Sequence, residues 1–217
     1  MVEILTDGLV RNAIQGVGGC ESKGYPDTPN KTINDVTWYE QNGYKGGTSP
    51  DPIIEKLLSK ASKSGSGREG KPEFIISTPD FFVVFEDKDI RDAKHSSQAD
   101  IRDYIGKGYT SEPYKYSIDD VLRYVEYLKT EKDVIAVAST SDGTIKNFKT
   151  TTFYMPKNGT WDDLHVICNG GYDVVIKSTI EYKNIIDEIN GITEQTYEQL
   201  YNELSNYVNQ SAIFMEK

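Results

Sequence analysis

Apolar positions are densest in one stretch, residues 70–90, which reads GKPEFIISTPDFFVVFEDKDI. Two runs, 73–77 and 81–88, are rich in Phe, Val and Ile and flank a Thr78-Pro79-Asp80 turn signal, which predicts two antiparallel strands joined by a hairpin. In the second run Phe82 and Val84 point one way and Val83 and Phe85 the other. That strand is apolar on both faces and belongs in the middle of a covered sheet.

Around this hairpin the pattern alternates between helix and strand periods. Ile4, Leu5, Leu9, Val10 and Ile14 fit one helical face, and residues 16–50 read as loop with a short strand near 36–39. Asp51 followed by Pro52 is a helix cap, and Ile53, Ile54, Leu57, Leu58 and Ala61 continue as an apolar stripe, predicting a helix over 52–63. The Ser/Gly-rich 62–70 is a connector into the hairpin, and 89–116 is a polar loop that could cover a site. Ser117, with Asp120 three residues on, predicts a capped helix carrying Ile118, Val121, Leu122, Val125 and Leu128.

Val134 to Ala138 follows at once as a second buried strand. A strand, a crossover helix and another buried strand make a right-handed parallel pair. A further strand is expected within 145–155, a short one at 174–176, a helix over 179–189 and a last helix from Thr193 with Tyr197, Leu200, Tyr201, Leu204, Tyr207 and Val208 in one stripe. The expected class is therefore α/β: a central mixed sheet flanked by helices over 1–190, with its core at 51–155, then a helical extension over 191–217. The stripe, closely followed by SAIFMEK, reads as the lead into a further domain.

Composition narrows the function. The 217 residues include 34 acidic and 24 basic side chains, a net charge of −10, which argues against binding nucleic acid by bulk electrostatics. Cys20 and Cys168 form no CxxC, so neither a zinc site nor a disulfide framework is indicated, and a reducing, cytoplasmic setting fits. No stretch approaches the ~18 apolar residues of a membrane span, and the N-terminus lacks a leader pattern.

Candidate chemistry lies at the end of the second strand, Glu86-Asp87-Lys88. Ionisable groups on a doubly buried strand must pair, hold a metal or reach solvent. Lys88, two residues after Glu86, shares its face. Asp80 is separated from Glu86 by about 20 Å of extended chain at ~3.4 Å per residue, too far to share an ion. If 78–81 forms a four-residue loop, Ser77 faces Phe82, Ile75 faces Val84 and Glu73 faces Glu86, with Cβ atoms about 4.5–5.5 Å apart. Glu55 lies off the centre of its helical stripe, as a solvated carboxylate would. His95 is a lone loop histidine, and Lys146 and Lys149 are strand-surface lysines within reach of a phosphate.

With these elements in order, the chain resembles the PD-(D/E)XK nuclease superfamily. More narrowly, it is similar to the N-terminal nuclease domain of restriction-modification proteins, either type I restriction subunits or nucleases fused to an N6-adenine DNA methyltransferase. The residues that carry the likeness are Gly70-Lys71-Pro72-Glu73-Phe74, Glu86-Asp87-Lys88, Asp92-Ala93-Lys94-His95-Ser96, and 124–128 followed by Val134-Ile135-Ala136, about 51–140 in all. The resemblance implies a restriction-endonuclease-like fold and a metal-dependent endonuclease. Glu73 and Glu86 would be Mg²⁺ or Mn²⁺ ligands, the Asp87 carbonyl a third and Glu55 a helix-borne acid, with Lys88 as the catalytic cation. Glu73 departs from the family, which usually has Asp there. Double-stranded DNA is the implied partner, gripped mainly by a following methyltransferase or motor domain. The alternative is a degenerate nuclease-fold module that binds proteins through its acidic surface.

Overall fold

A computed structural model describes residues 3–15, 31–40, 51–61, 70–90, 104–109, 116–172, 177–191 and 205. The connector at 62–69, His95 and its neighbours, the short strand at 174–176 and nearly all of the helix from Thr193 lie outside these residues. Among the described residues no helix is long and apolar enough to cross a membrane.

The central hairpin is closed by Thr78. Its N–H donates to the Phe81 carbonyl at 3.0 Å, and its hydroxyl oxygen accepts the Phe81 N–H at 3.0 Å. The last pair of the ladder is Ser77 with Phe82, so 78–81 form the four-residue loop expected, with Pro79 and Asp80 as its exposed tip. Strand β3 (Phe74–Ser77) pairs with β4 (Phe81–Asp89) so that Ser77 faces Phe82, Ile75 faces Val84 and Phe74 faces Phe85.

Among the described residues, seven strands form one sheet in sequential order. On one side of the hairpin stand β1 (Lys31–Ile33) and β2 (Val36–Glu40), joined by Asn34 and Asp35, both at positive φ, the conformation that two-residue hairpins require. On the other side β5 (Asp133–Ser141) runs parallel to β4, then β6 (Lys149–Met155) and β7 (His165–Gly170) return antiparallel. The strand expected over 145–155 is thus split: Ile145–Asn147 is a 3₁₀ turn, and the strand starts at Lys149.

Helices cover both faces. On one face α2 (Pro52–Leu58) and α3 (Ser117–Leu128) pack over Ile75, Phe82, Val84, Val134 and Ala136. The Asp51 carboxylate accepts the Ile53 N–H at 2.8 Å, which fixes the start of α2. The helix ends at Leu58, short of the expected 63, because the Leu58 carbonyl accepts the N–H groups of both Ala61 and Gly70 and turns the chain out of the helix. Burial of Thr6, Val10, Ala13 and Ile14 lays α1 (Glu3–Gln15) on β4. The observed stripe differs from the expected one in Leu5, which is exposed. Arg11 joins α1 to the sheet by pairing with Glu40 and by lying over the Phe74 ring, 5.9 Å from its centroid.

Contacts divide the chain into two units, 1–179 and 180–217. The second holds all but the first residue of α4 (Thr179–Ile189), which is braced by a Lys183–Asp187 pair one turn apart at 2.7 Å.

Candidate functional site

Where β4 runs out of apolar residues it continues buried. Glu86 is 1 % exposed, Asp87 0 % and Lys88 8 %, with Glu73 at 9 % just before β3. Side chains alternate along the strand, so Glu86 and Lys88 follow Phe82 and Val84 onto the α3 face, whereas Asp87 follows Val83 and Phe85 onto the α1 face. Opposite Glu86 on β5 stands Ala138, whose small side chain leaves room beneath α3.

On the α3 face the Lys88 ammonium donates to Glu86 Oε1 at 2.9 Å and lies 3.2 Å from Asp120 Oδ2. Asp120 is fully buried in the first turn of α3. Sequence pattern made it the partner of a Ser117 cap, but the helix is entered from Tyr116 with no side-chain cap, and the Asp120 carboxylate turns to Lys88. One helical turn on, Tyr124 completes the group. Burial raises its hydroxyl pKa far above the usual tyrosine range, Glu86, Asp120 and Glu73 add to the rise, and Lys88 opposes it. Tyr124 therefore stays neutral at any physiological pH. Its ring has space because residue 70 is glycine: a Cβ there would stand 2.9 Å from Tyr124 Cε1 and 2.5 Å from the Ala61 carbonyl oxygen.

Glu73 stands in a bend immediately before β3, one residue outside the last hairpin pair, Phe74 with Phe85; extending that pairing by one step would set it against Glu86. Both carboxylates act on the same groups, raising Tyr124 and Asp87 alike. Glu55 stands exposed on α2, while Glu86 and Asp120 are buried.

Through the sheet, Asp87 meets α1. Burial pushes its carboxyl well above the usual carboxylate range, and Asp7, then Glu73 and Glu86, push it the same way. Asp7 was not found from the sequence, where residues 1–50 showed no chemistry. The signal available was an acid between Thr6 and Val10 on the inward side of α1.

Among the described residues no three His, Cys, Asp or Glu side chains are grouped as a metal cluster. A hard divalent cation needs fewer, since Mg²⁺ keeps several waters and is held by one or two carboxylates. Glu73 and Glu86 carry carboxylates that could serve in such a set, and the ammonium buried between Glu86 and Asp120 shows that this end of β4 accommodates positive charge. Lys146 and Lys149 are exposed and lie apart from this buried group in character. In comparisons with known proteins, no family model, no curated protein and no solved structure matches this chain.

Proposed function

We propose that this chain is a metal-dependent nuclease domain of the PD-(D/E)XK kind, hydrolysing phosphodiester bonds of double-stranded DNA within a restriction-modification protein. The observation that carries the reading is the buried Lys88 ammonium beside Glu86, at the end of the strand that pairs with the one Glu73 leads into. The order of hairpin, crossover helix and parallel strand supports it, since these elements converge on the end of β4.

In this reading Glu73 and Glu86 hold Mg²⁺ or Mn²⁺, which supplies a more acidic bound water and stabilises charge on the phosphate oxygens. Lys88 presents its ammonium to the phosphate oxygens or holds the attacking water, in a water-poor setting where a charge acts strongly. Tyr124, kept neutral, does not act as a base. With a net charge of −10 the chain gains little from counter-ion release, so most DNA affinity belongs to a neighbouring methyltransferase or motor domain.

The test is nicking of supercoiled plasmid in Mg²⁺ and Mn²⁺ by the natural full-length protein, compared with Glu86→Gln. Metal-dependent nicking that the substitution removes supports the reading, and nicking equal in both variants overturns it. A second reading, a catalytically degenerate module that binds proteins, has one observation in its favour: Lys88 between Glu86 and Asp120 balances buried charge without any metal. Absence of Mn²⁺ binding in titration calorimetry would favour this second reading.

A further inference from the structure

The Lys88 ammonium is shared by two buried carboxylates that come from different elements, Glu86 on β4 and Asp120 on α3. The two are not equivalent. Glu86 lies on the strand that pairs with the one Glu73 leads into, and in the reading above it is the carboxylate a divalent cation would engage together with Glu73. Asp120 stands on the far side of the ammonium, in the first turn of a helix whose burial fixes its position. A divalent ion arriving at Glu86 meets a cation already there, and two cations on one carboxylate repel strongly at low dielectric. The ammonium must shift, and a buried Lys leaving one carboxylate needs another to avoid being stranded.

We propose that Asp120 is a positioning residue that retains Lys88 when a divalent cation takes Glu86, making Lys88 a displaceable internal counter-ion of the metal site. This rests on the metal-dependent reading above. In the metal-free chain Lys88 bridges Glu86 and Asp120 and prevents two buried carboxylates from repelling each other. In the loaded chain Asp120 holds the ammonium beside the site, clear of the ion, where it can meet a phosphate oxygen.

A double-substitution cycle read by Mn²⁺ titration calorimetry tests this, with Mn²⁺ alone as the probe and circular dichroism to establish folding. Lys88→Met removes the competing cation and should tighten Mn²⁺ binding about tenfold. Asp120→Asn leaves Lys88 with Glu86 alone and should weaken binding about tenfold, but about threefold or less when Lys88 is already Met, because Asp120 then has no ammonium to hold. Asp120→Glu, which keeps the charge, should restore most of the affinity. Should Lys88→Met fail to fold, Lys88→Gln takes its place in the cycle. Equal weakening by Asp120→Asn in both backgrounds would make Asp120 a direct ligand and overturn the inference while leaving the metal site intact. So would a Lys88→Met variant no tighter than the parent. Folded variants none of which binds Mn²⁺ would overturn the metal-dependent reading and this inference together.

Discussion

Glu86 and Asp87 are neighbours in the chain and look out of opposite faces of the sheet, Glu86 to Lys88 beneath α3 and Asp87 to Asp7 beneath α1. One strand end thus carries two acidic environments with different partners. Glu86 has a cation beside it. Asp87 is surrounded by acids.

A pH prediction follows from Asp87. Its folded-state pKa lies above the unfolded value of about 3.9, so between the two the folded chain holds the extra proton and stability falls as pH rises. The contribution is fully present below the unfolded pKa and lost through the folded one. Asp87→Asn cannot ionise, so it should melt higher than the parent, with a larger difference at pH 8 than at pH 5. Melting curves at the two pH values check this; a variant less stable at pH 8 would contradict it.

Gly70 lies where the end of α2 meets α3. Its N–H donates to the Leu58 carbonyl at 2.9 Å, and a Cβ would press on the Ala61 carbonyl and the Tyr124 ring. Gly70→Ala should destabilise the chain by about 1–3 kcal/mol, the usual range for overpacking, seen as a lower urea midpoint. An unchanged midpoint would show that the Tyr124 ring moves aside at little cost.

Asp133 ties the start of β5 to the end of β6, accepting the Tyr154 hydroxyl at 3.0 Å and the Lys157 N–H at 2.7 Å. Asp133→Ala removes the part-buried Tyr154 bond while the exposed Lys157 N–H turns to water, and should cost about 0.5–1.5 kcal/mol by the same denaturant measurement.

The hairpin was legible because its signals are local. Thr-Pro-Asp marks the turn, and the double-faced apolar run of β4 marks a central strand, so Ser77 opposite Phe82 could be counted out from the loop. The Thr78 hydroxyl closes that loop without altering the count. Asp120 and Tyr124 were missed for the opposite reason. Ser117-x-x-Asp120 imitates a capping box, and only the packing of α3 on β4 shows that Asp120 faces a lysine. The i, i+4 spacing of Asp120 and Tyr124 beside the apolar stripe was the available clue. The short strand expected near 36–39 is β2, whereas its partner β1 hid because it has only three residues before the Asn34-Asp35 turn. Strand β7 hid because its mostly exposed and half-exposed side chains carry no clear alternation.

The most direct test of the central claim is the rate of Mn²⁺-dependent duplex cleavage by Lys88→Ala in the natural full-length protein, under single-turnover conditions, with folding of the variant established by its melting curve. If Lys88 is the catalytic cation, cleavage falls by about 100-fold or more, the scale on which removing one preorganised electrostatic group acts, while the variant stays folded and still binds Mn²⁺. A folded Lys88→Ala variant that cleaves at the parent's rate would contradict the account.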